Sequence, residues 1–316
     1  MSIDGQTSRK IVVVVGSLNT DFVVTLGQFP RDGETVLGQT FDQFPGGKGL
    51  NQAVACARLG SSVAMVGAIG TDSFGEKLLQ TLGTEEIASH VQKIPAASTG
   101  LALIEVDATG ENRIIVVAGT NGLLSEESVE TALRSIAESN QIGVVLTQGE
   151  IPVATTERAL RVAKELGAIT ILNPAPMRDF SPSIFSVIDY LVPNQHEARE
   201  LAGLDQESLQ TMLDFVEVAT KIVDRGVGTV IITRGEKGAV WSTASASGQA
   251  AAFRIISIDT VAAGDAFCGG LATALNEGLP LNEALRWASA AGALAATRSG
   301  AVTSLPQRFE VEELLK

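Results

Sequence analysis

Asp265 follows Gly264 inside the run Asp259-Thr260-Val261-Ala262-Ala263-Gly264-Asp265-Ala266-Phe267. The run comes after an apolar, strand-like stretch at 253–258 and opens an Ala- and Gly-rich helical stretch. Such a junction presents free backbone N–H groups and the positive end of a helix dipole, which suits an anion such as a phosphoryl group in transfer. Gly264 would let the backbone approach that anion closely. A carboxylate beside it could take the proton of an attacking hydroxyl, the work of a general base. Asp is also a favoured helix cap, and the run alone leaves that reading open.

Phe44-Pro45-Gly46-Gly47-Lys48-Gly49-Leu50-Asn51-Gln52-Ala53 is the second chemical segment. Its glycines permit close backbone approach to a ligand, and Asn51 stands one helical turn beyond Gly47. It is not a GxxxxGK[ST] phosphate loop, because Lys48 is followed by glycine. A tight turn with a solvated lysine is the other reading. In Gly16-Ser17-Leu18-Asn19-Thr20-Asp21, an extended backbone would point Asn19 and Asp21 the same way. An amide and a carboxylate side by side match the donors and acceptors of neighbouring hydroxyls, although an Asx-turn would use the same residues. Asn194-Gln195-His196-Glu197 follows Pro193 and could hold magnesium through Glu197 and water, or simply cap a helix. Thr233-Arg234-Gly235-Glu236-Lys237-Gly238 is a glycine-punctuated loop that could line a nucleotide or close a hairpin. His90 and His196 are too few and too far apart for a metal site, and surface histidines are expected.

These segments need a frame. From about residue 140 the chain alternates strand-like runs (143–147, 168–172, 189–192 and 228–233) with helical ones (154–166, 195–201 and 208–225). That rhythm implies a parallel sheet covered on both faces, which binds ligands beyond its strand C-termini. Earlier, 11–15 reads as a buried strand, and 47–59 as a helix stopped by Gly60. Alternating segments around 22–26 and 34–44, and the pair 101–106 and 112–117 with a turn between, break the rhythm. They are expected to form a small sheet projecting from the core as a lid. The final fifth, 264–296, reads as two closely packing Ala/Gly-rich helices.

The 316 residues accommodate one large α/β core plus an appendage, and 45% hydrophobic content is ordinary for such a core. The net charge of −13 argues against nucleic acid, which is bound through clustered Lys and Arg. It is silent on a nucleotide, whose phosphates can rest on backbone N–H groups. No stretch approaches the roughly 20 apolar residues of a membrane span. MSIDGQTSRK lacks the apolar core of a secretory signal, so none is expected. Cys56 and Cys268 have no metal or redox spacing and read as buried, reduced thiols of a cytoplasmic protein.

In this order and spacing, GSLNTD, PGGKGLNQA and DTVAAGDAF resemble the ribokinase-like (PfkB) carbohydrate kinases, from about residue 11 to about 306. The resemblance implies a Rossmann-like α/β sandwich with a mostly parallel central sheet. It implies one kinase domain over 1–316, with lid strands inserted near 17–45 and 96–120 that also join a homodimer. The implied reaction moves a phosphoryl group from ATP to a small sugar. D-ribose at O5 is the expected acceptor, with 2-deoxyribose, fructose or a nucleoside as alternatives. Matched position by position, Asn19, Asp21, Gly46, Gly47, Lys48, Asn51 and Glu150 form the sugar set. Asp265 is the base, with Ala262, Ala263 and Gly264 as its anion hole. Asn194, Thr233, Arg234, Gly235, Glu236, Lys237, Gly238, Gly264, Asp265 and Ser289 match nucleotide positions, and Glu197 the Mg²⁺ position. Asp259, Val261, Ala295, Arg298, Gly300 and Ser304 match a site for activating K⁺. Gly149, Arg234 and Ser289 depart from the residues common in the family. A non-catalytic sugar binder would have no need of Asp265, and no GxGxxG follows the first strand, which excludes a Rossmann dehydrogenase.

Overall fold

Five β-branched residues, Ile11–Val15, form β1, and every one is buried. Their alternation sends Val12 and Val14 to one face of a sheet and Ile11, Val13 and Val15 to the other. A strand apolar on both sides must be covered on both sides, which is the signature of a central strand in a parallel sheet. This computed structural model describes residues 10–204 and 212–316.

After β1 the chain makes β2 (Asn19–Leu26) and β3 (Gly38–Gly46), then α1 (Lys48–Arg58), β4 (Val63–Gly70), α2 (Ser73–Thr84) and β5 (Ala88–Ile94). Next come β6 (Gly100–Val106), β7 (Asn112–Val117), α3 (Glu126–Ser139), β8 (Ile142–Thr147), α4 (Val153–Glu165), β9 (Ile169–Leu172), β10 (Tyr190–Leu191) and α5 (Gln195–Leu201). The remainder is α6 (Met212–Val223), β11 (Thr229–Thr233), β12 (Ala239–Thr243), β13 (Ser247–Ala250), α7 (Ala263–Asn276), α8 (Leu281–Ala295) and α9 (Arg308–Leu314).

Among the described residues the central sheet has nine strands in the order β13-β12-β11-β10-β9-β8-β1-β4-β5. It is parallel from β11 to β5, and β12 and β13 run antiparallel at one edge. One face packs on α1, α7 and α8, and the other on α3 and α4 near β1, with α6 beneath β11. α1 and α7 approach closely because Gly269 carries no side chain: a Cβ there would stand 2.5 Å from that of Ala55. Cys56 and Cys268 are buried on these two helices as free thiols, and burial pushes the Cys56 thiol up to about 12.

The four expected lid strands form one separate sheet, β3-β2-β6-β7. β2 and β6 pair in parallel, and the two outer pairs are antiparallel. Phe41, Leu103 and the whole of β7 leave apolar surface exposed.

Three expectations change. Residues 253–258 join no strand, because no neighbouring strand offers them hydrogen bonds; Ile256 and Ile258 stay exposed despite their β-propensity. The second lid strand begins at Gly38, so 34–37 lie outside it. The helix expected over 208–225 is seen as Met212–Val223, and 208–211 fall outside the described residues, as do the first nine residues. Among the described residues, no helix is long and apolar enough to cross a membrane.

Candidate active site

The chain starts in the middle of the sheet, adds β4 and β5 on one side, and later adds β8 and its successors on the other. The switch point is therefore between β1 and β8, where a crevice opens at the carboxyl ends of the strands. Ser17 follows β1 and Glu150 follows β8, and they meet there: Ser17 Oγ donates to Glu150 Oε2 at 2.5 Å. The backbone N–H of Lys48 donates to the same oxygen at 3.0 Å, and that of Gly49 to Ser17 Oγ at 3.2 Å. Glu150 thus holds the first turn of α1 against β1. The glycines are needed for this approach, since Gly47 has φ of 90° and a Cβ on Gly49 would stand 2.5 Å from the Ser17 nitrogen.

Asn19 and Asp21 lie on one face of β2, as an extended backbone requires, so no Asx-turn forms. Asn19 Oδ1 accepts from Asn121 Nδ2 at 2.7 Å. Gly46 makes room for Asp21, because a Cβ there would fall 2.1 Å from the carboxylate. Burial, then the negative charges of Glu150 and Asp265, push the Asp21 carboxyl up to about 7.

Asp265 does not cap α7. The cap is Ala262, with a left-handed φ of 58°, an uncommon conformation for alanine and a sign of local strain at this turn. Asp265 sits inside the first turn, buried, and its carboxylate faces α1. Asn51 Nδ2 donates to Oδ2 at 2.9 Å, and Gln52 Nε2 to Oδ1 at 2.9 Å. Ala263 N–H already bonds the Thr260 carbonyl at 3.2 Å. The N–H groups of Gly264 and Asp265 are orphan donors of the turn. A Cβ on Gly264 would meet nothing within 4 Å. Lys48 is half-buried rather than solvated; the Asp265 charge, then Glu150 and Glu197, hold its ammonium above the usual lysine range against the opposing effect of burial.

On the other flank, an isolated bridge sets Asn194 beside Thr233, so the expected nucleotide loop and the start of α5 adjoin. Residues 233–238 close the β11–β12 hairpin, with Arg234 N–H on the Gly238 carbonyl at 2.7 Å. Arg234 is held by packing, buried with its guanidinium over the Phe215 ring at 4.9 Å. Gly149 is likewise forced: a Cβ there would stand 2.0 Å from the Pro176 carbonyl oxygen. Ser289 is half-buried on α8. The capping box at α5 is present, with Glu197 accepting from Asn194 N at 2.7 Å and Nδ2 at 2.8 Å. Burial pushes the Glu197 carboxyl up. One carboxylate fits a magnesium ion held mostly by water and phosphate oxygens.

Asp259 bridges the loop before α7 to the one after α8. Its Oδ1 accepts from Val261 N and its Oδ2 from Gly300 N, each at 2.9 Å, and the Ala296 carbonyl accepts from Ile258 N at 2.8 Å. Of the residues matched to a cation site, Val261 and Gly300 bond Asp259 through their N–H groups, while Arg298 pairs with Glu310 and Ser304 bonds the Ala301 carbonyl.

Sequence reasoning missed Ser17, Gln52, Asn121, Gln148 and Asn173, all buried polar side chains of this crevice. Their signal was an amide or hydroxyl just past an apolar strand, or on the buried side of a helix, where a polar group needs a partner.

Orphan N–H donors at a helix N-terminus, a carboxylate beside them and a polar crevice at the switch point suit a small-molecule kinase. The model of the pfkB family carbohydrate kinases matches residues 9–308, and the chain belongs to that family. It is 40% identical to the ribokinase of Haemophilus influenzae over 98% of this chain and 99% of that one. The ribokinase structure of Thermotoga maritima superposes with a TM-score of 0.86 at 36% identity, covering 97% of this chain and 99% of its own. That of Arabidopsis thaliana, solved with ribose and ATP, gives 0.85 at 31% identity, covering 97% and 99%.

Proposed function

We propose that this carbohydrate kinase transfers the γ-phosphoryl group of ATP to O5 of D-ribose, giving D-ribose 5-phosphate, with Asp265 as general base. The observation that carries the reading is the buried Asp265 carboxylate in the first turn of α7, held from α1 by Asn51 and Gln52. Asp265 accepts the proton of the attacking hydroxyl, and the N–H groups of Gly264 and Asp265 receive charge that develops on the transferred group. Asn19, Asp21, Gly46, Gly47, Lys48, Asn51 and Glu150 bind the sugar. The buried, unpartnered Oδ1 of Asn51 offers an acceptor to a hydroxyl there. Asn194, residues 233–238 and Ser289 take the nucleotide. Glu197 holds Mg²⁺ through water, and the ion, when bound, neutralises phosphate charge. The oxygens around Asp259 hold K⁺.

The same reading makes 1–316 one kinase domain, with the sheet β3-β2-β6-β7 as a lid that excludes water from the sugar. The exposed apolar surface of β6 and β7 supports pairing of two lids in a homodimer, and two free buried thiols suit a reducing cytoplasm. The deciding experiment is a coupled ADP-release assay across pentoses, hexoses and nucleosides. Ribose should give the highest kcat/KM, with 2-deoxyribose lower and fructose and nucleosides far behind. A panel led by fructose or a nucleoside would overturn the sugar while leaving the kinase chemistry in place.

A further inference from the structure

Gln52 has no exposed surface and faces inward from α1. Its Nε2 donates to Oδ1 of Asp265 at 2.9 Å and to Oδ1 of Asn173 at 3.1 Å. Its Oε1 accepts from Nε2 of Gln148 at 2.7 Å. Asn173 is itself fixed, because its Nδ2 donates to the Val192 carbonyl at 2.8 Å. The three amides come from α1 and from just beyond β8 and β9.

The direction of this chain of bonds is dictated from one end. An ionised carboxylate only accepts, so Asp265 requires the nitrogen of Gln52. The Gln52 oxygen must then face Gln148, which must answer with its own nitrogen. The Gln148 oxygen is left buried with no hydrogen-bond partner. It occupies space that only glycine at 16 leaves free, since a Cβ there would stand 2.1 Å from it. Turning the Gln148 amide over would relieve that oxygen only by breaking the bond to Gln52.

We propose that Gln52, locked in one orientation by Gln148, is the positioning residue of Asp265, fixing the plane of its carboxylate. This rests on the reading of Asp265 as the base. The need for such a device is electrostatic. Asp21 on β2 and Glu150 beyond β8 bring negative charge to the same crevice, Cys268 lies on α7 itself, and Lys48 on α1 is the cation among them. Repulsion from the neighbouring carboxylates would swing the Asp265 side chain, and the amide donors oppose it.

The test compares Gln52→Leu, Gln148→Met, Gln148→Glu and Asp265→Asn by kcat, KM and pH profile with ribose and ATP, alongside thermal unfolding. Gln52→Leu should lower kcat about 10–100-fold, with both KM values within about threefold. Gln148→Met should cause a smaller loss without a new pH dependence. Gln148→Glu should lose turnover as pH rises through titration of the introduced carboxyl, because its ionised form accepts and turns the Gln52 oxygen toward Asp265. Turnover should recover at lower pH, where the protonated carboxyl donates as the Gln148 nitrogen did. The two Gln148 variants decide the matter even if Gln52→Leu does not fold. If they share one kcat and one pH profile while Asp265→Asn is inactive, the positioning role is overturned and the base stands. If Asp265→Asn turns over normally, the base falls and the positioning role with it.

Discussion

Nδ2 of Asn51 stands 2.9 Å from Oδ2 of Asp265, although 214 residues separate the two in the chain. The contact welds the first turns of α1 and α7 into one polar surface. Asn51 gives its donor to the carboxylate and leaves its own oxygen for the crevice.

Asp265→Asn keeps the size of the side chain and removes the proton acceptor. Turnover should fall by about 10²–10⁴-fold, while the sugar's Kd, read by calorimetry, should change little. Near-normal turnover would dismiss Asp265 as the base.

Gly264 offers a way to separate folding from chemistry. Its φ is not left-handed, and a Cβ would meet nothing within 4 Å. Gly264→Ala should therefore fold well and gain up to about 1 kcal/mol in stability, because alanine has less backbone freedom to lose. A phosphoryl group seated on this turn would meet the added methyl group. Tm should hold or rise while kcat drops at least about tenfold, an effect the size of losing good transition-state hydrogen bonding. A variant with undiminished kcat would move the phosphoryl position away from this turn.

Much of this arrangement was legible before any coordinates. The i, i+2 spacing of Asn19 and Asp21 put them on one strand face, and the glycines at 46, 47 and 49 signalled close backbone approach. The turn at 107–111 located the β6–β7 hairpin. What stayed hidden depends on distant pairing. The parallel match of β2 with β6, registering Asn19 with Gly100, has no local signature. Gln52 reads as one more polar residue of an amphipathic helix until Gln148 and Asn173 arrive from β8 and β9. Residues 253–258 show the opposite failure: β-branched side chains promised a strand, and no partner strand was there to make one.

The loop around Asp259 leads directly into the strained turn at Ala262, so a cation there should order the N–H groups that receive phosphate. Replacing K⁺ with Na⁺ or Li⁺ at constant ionic strength should lower kcat several-fold, by roughly the loss of one charge-assisted contact. Asp259→Ala should abolish the difference between the salts. Equal rates in all three salts with the unaltered protein would make Asp259 a structural bridge between Val261 and Gly300 and nothing more.

Asp21 gives the crevice a pH signature. Burial, with Glu150 and Asp265 adding to it, raises its carboxyl from the ordinary 3.8 to about 7. Between those values the folded protein holds a proton that the unfolded chain releases. The stabilisation is fully present below 3.8 and is lost as pH rises through about 7. The Tm of the ligand-free protein should accordingly decline across that window, and Asp21→Asn should flatten the decline; the difference between the two isolates Asp21 from Glu197, whose carboxyl burial also raises. Sugar binding should run the other way. If the ionised carboxylate accepts from the sugar hydroxyls, binding near neutral pH must release a proton, and sugar affinity should rise with pH up to about 7 while ATP affinity does not follow. Calorimetry in two buffers of different ionisation enthalpy would count that proton, and Asp21→Asn should abolish it. Binding without proton release, together with identical Tm profiles for the two proteins, would mean that Asp21 enters the complex already ionised and that its crevice is wetter than its burial implies.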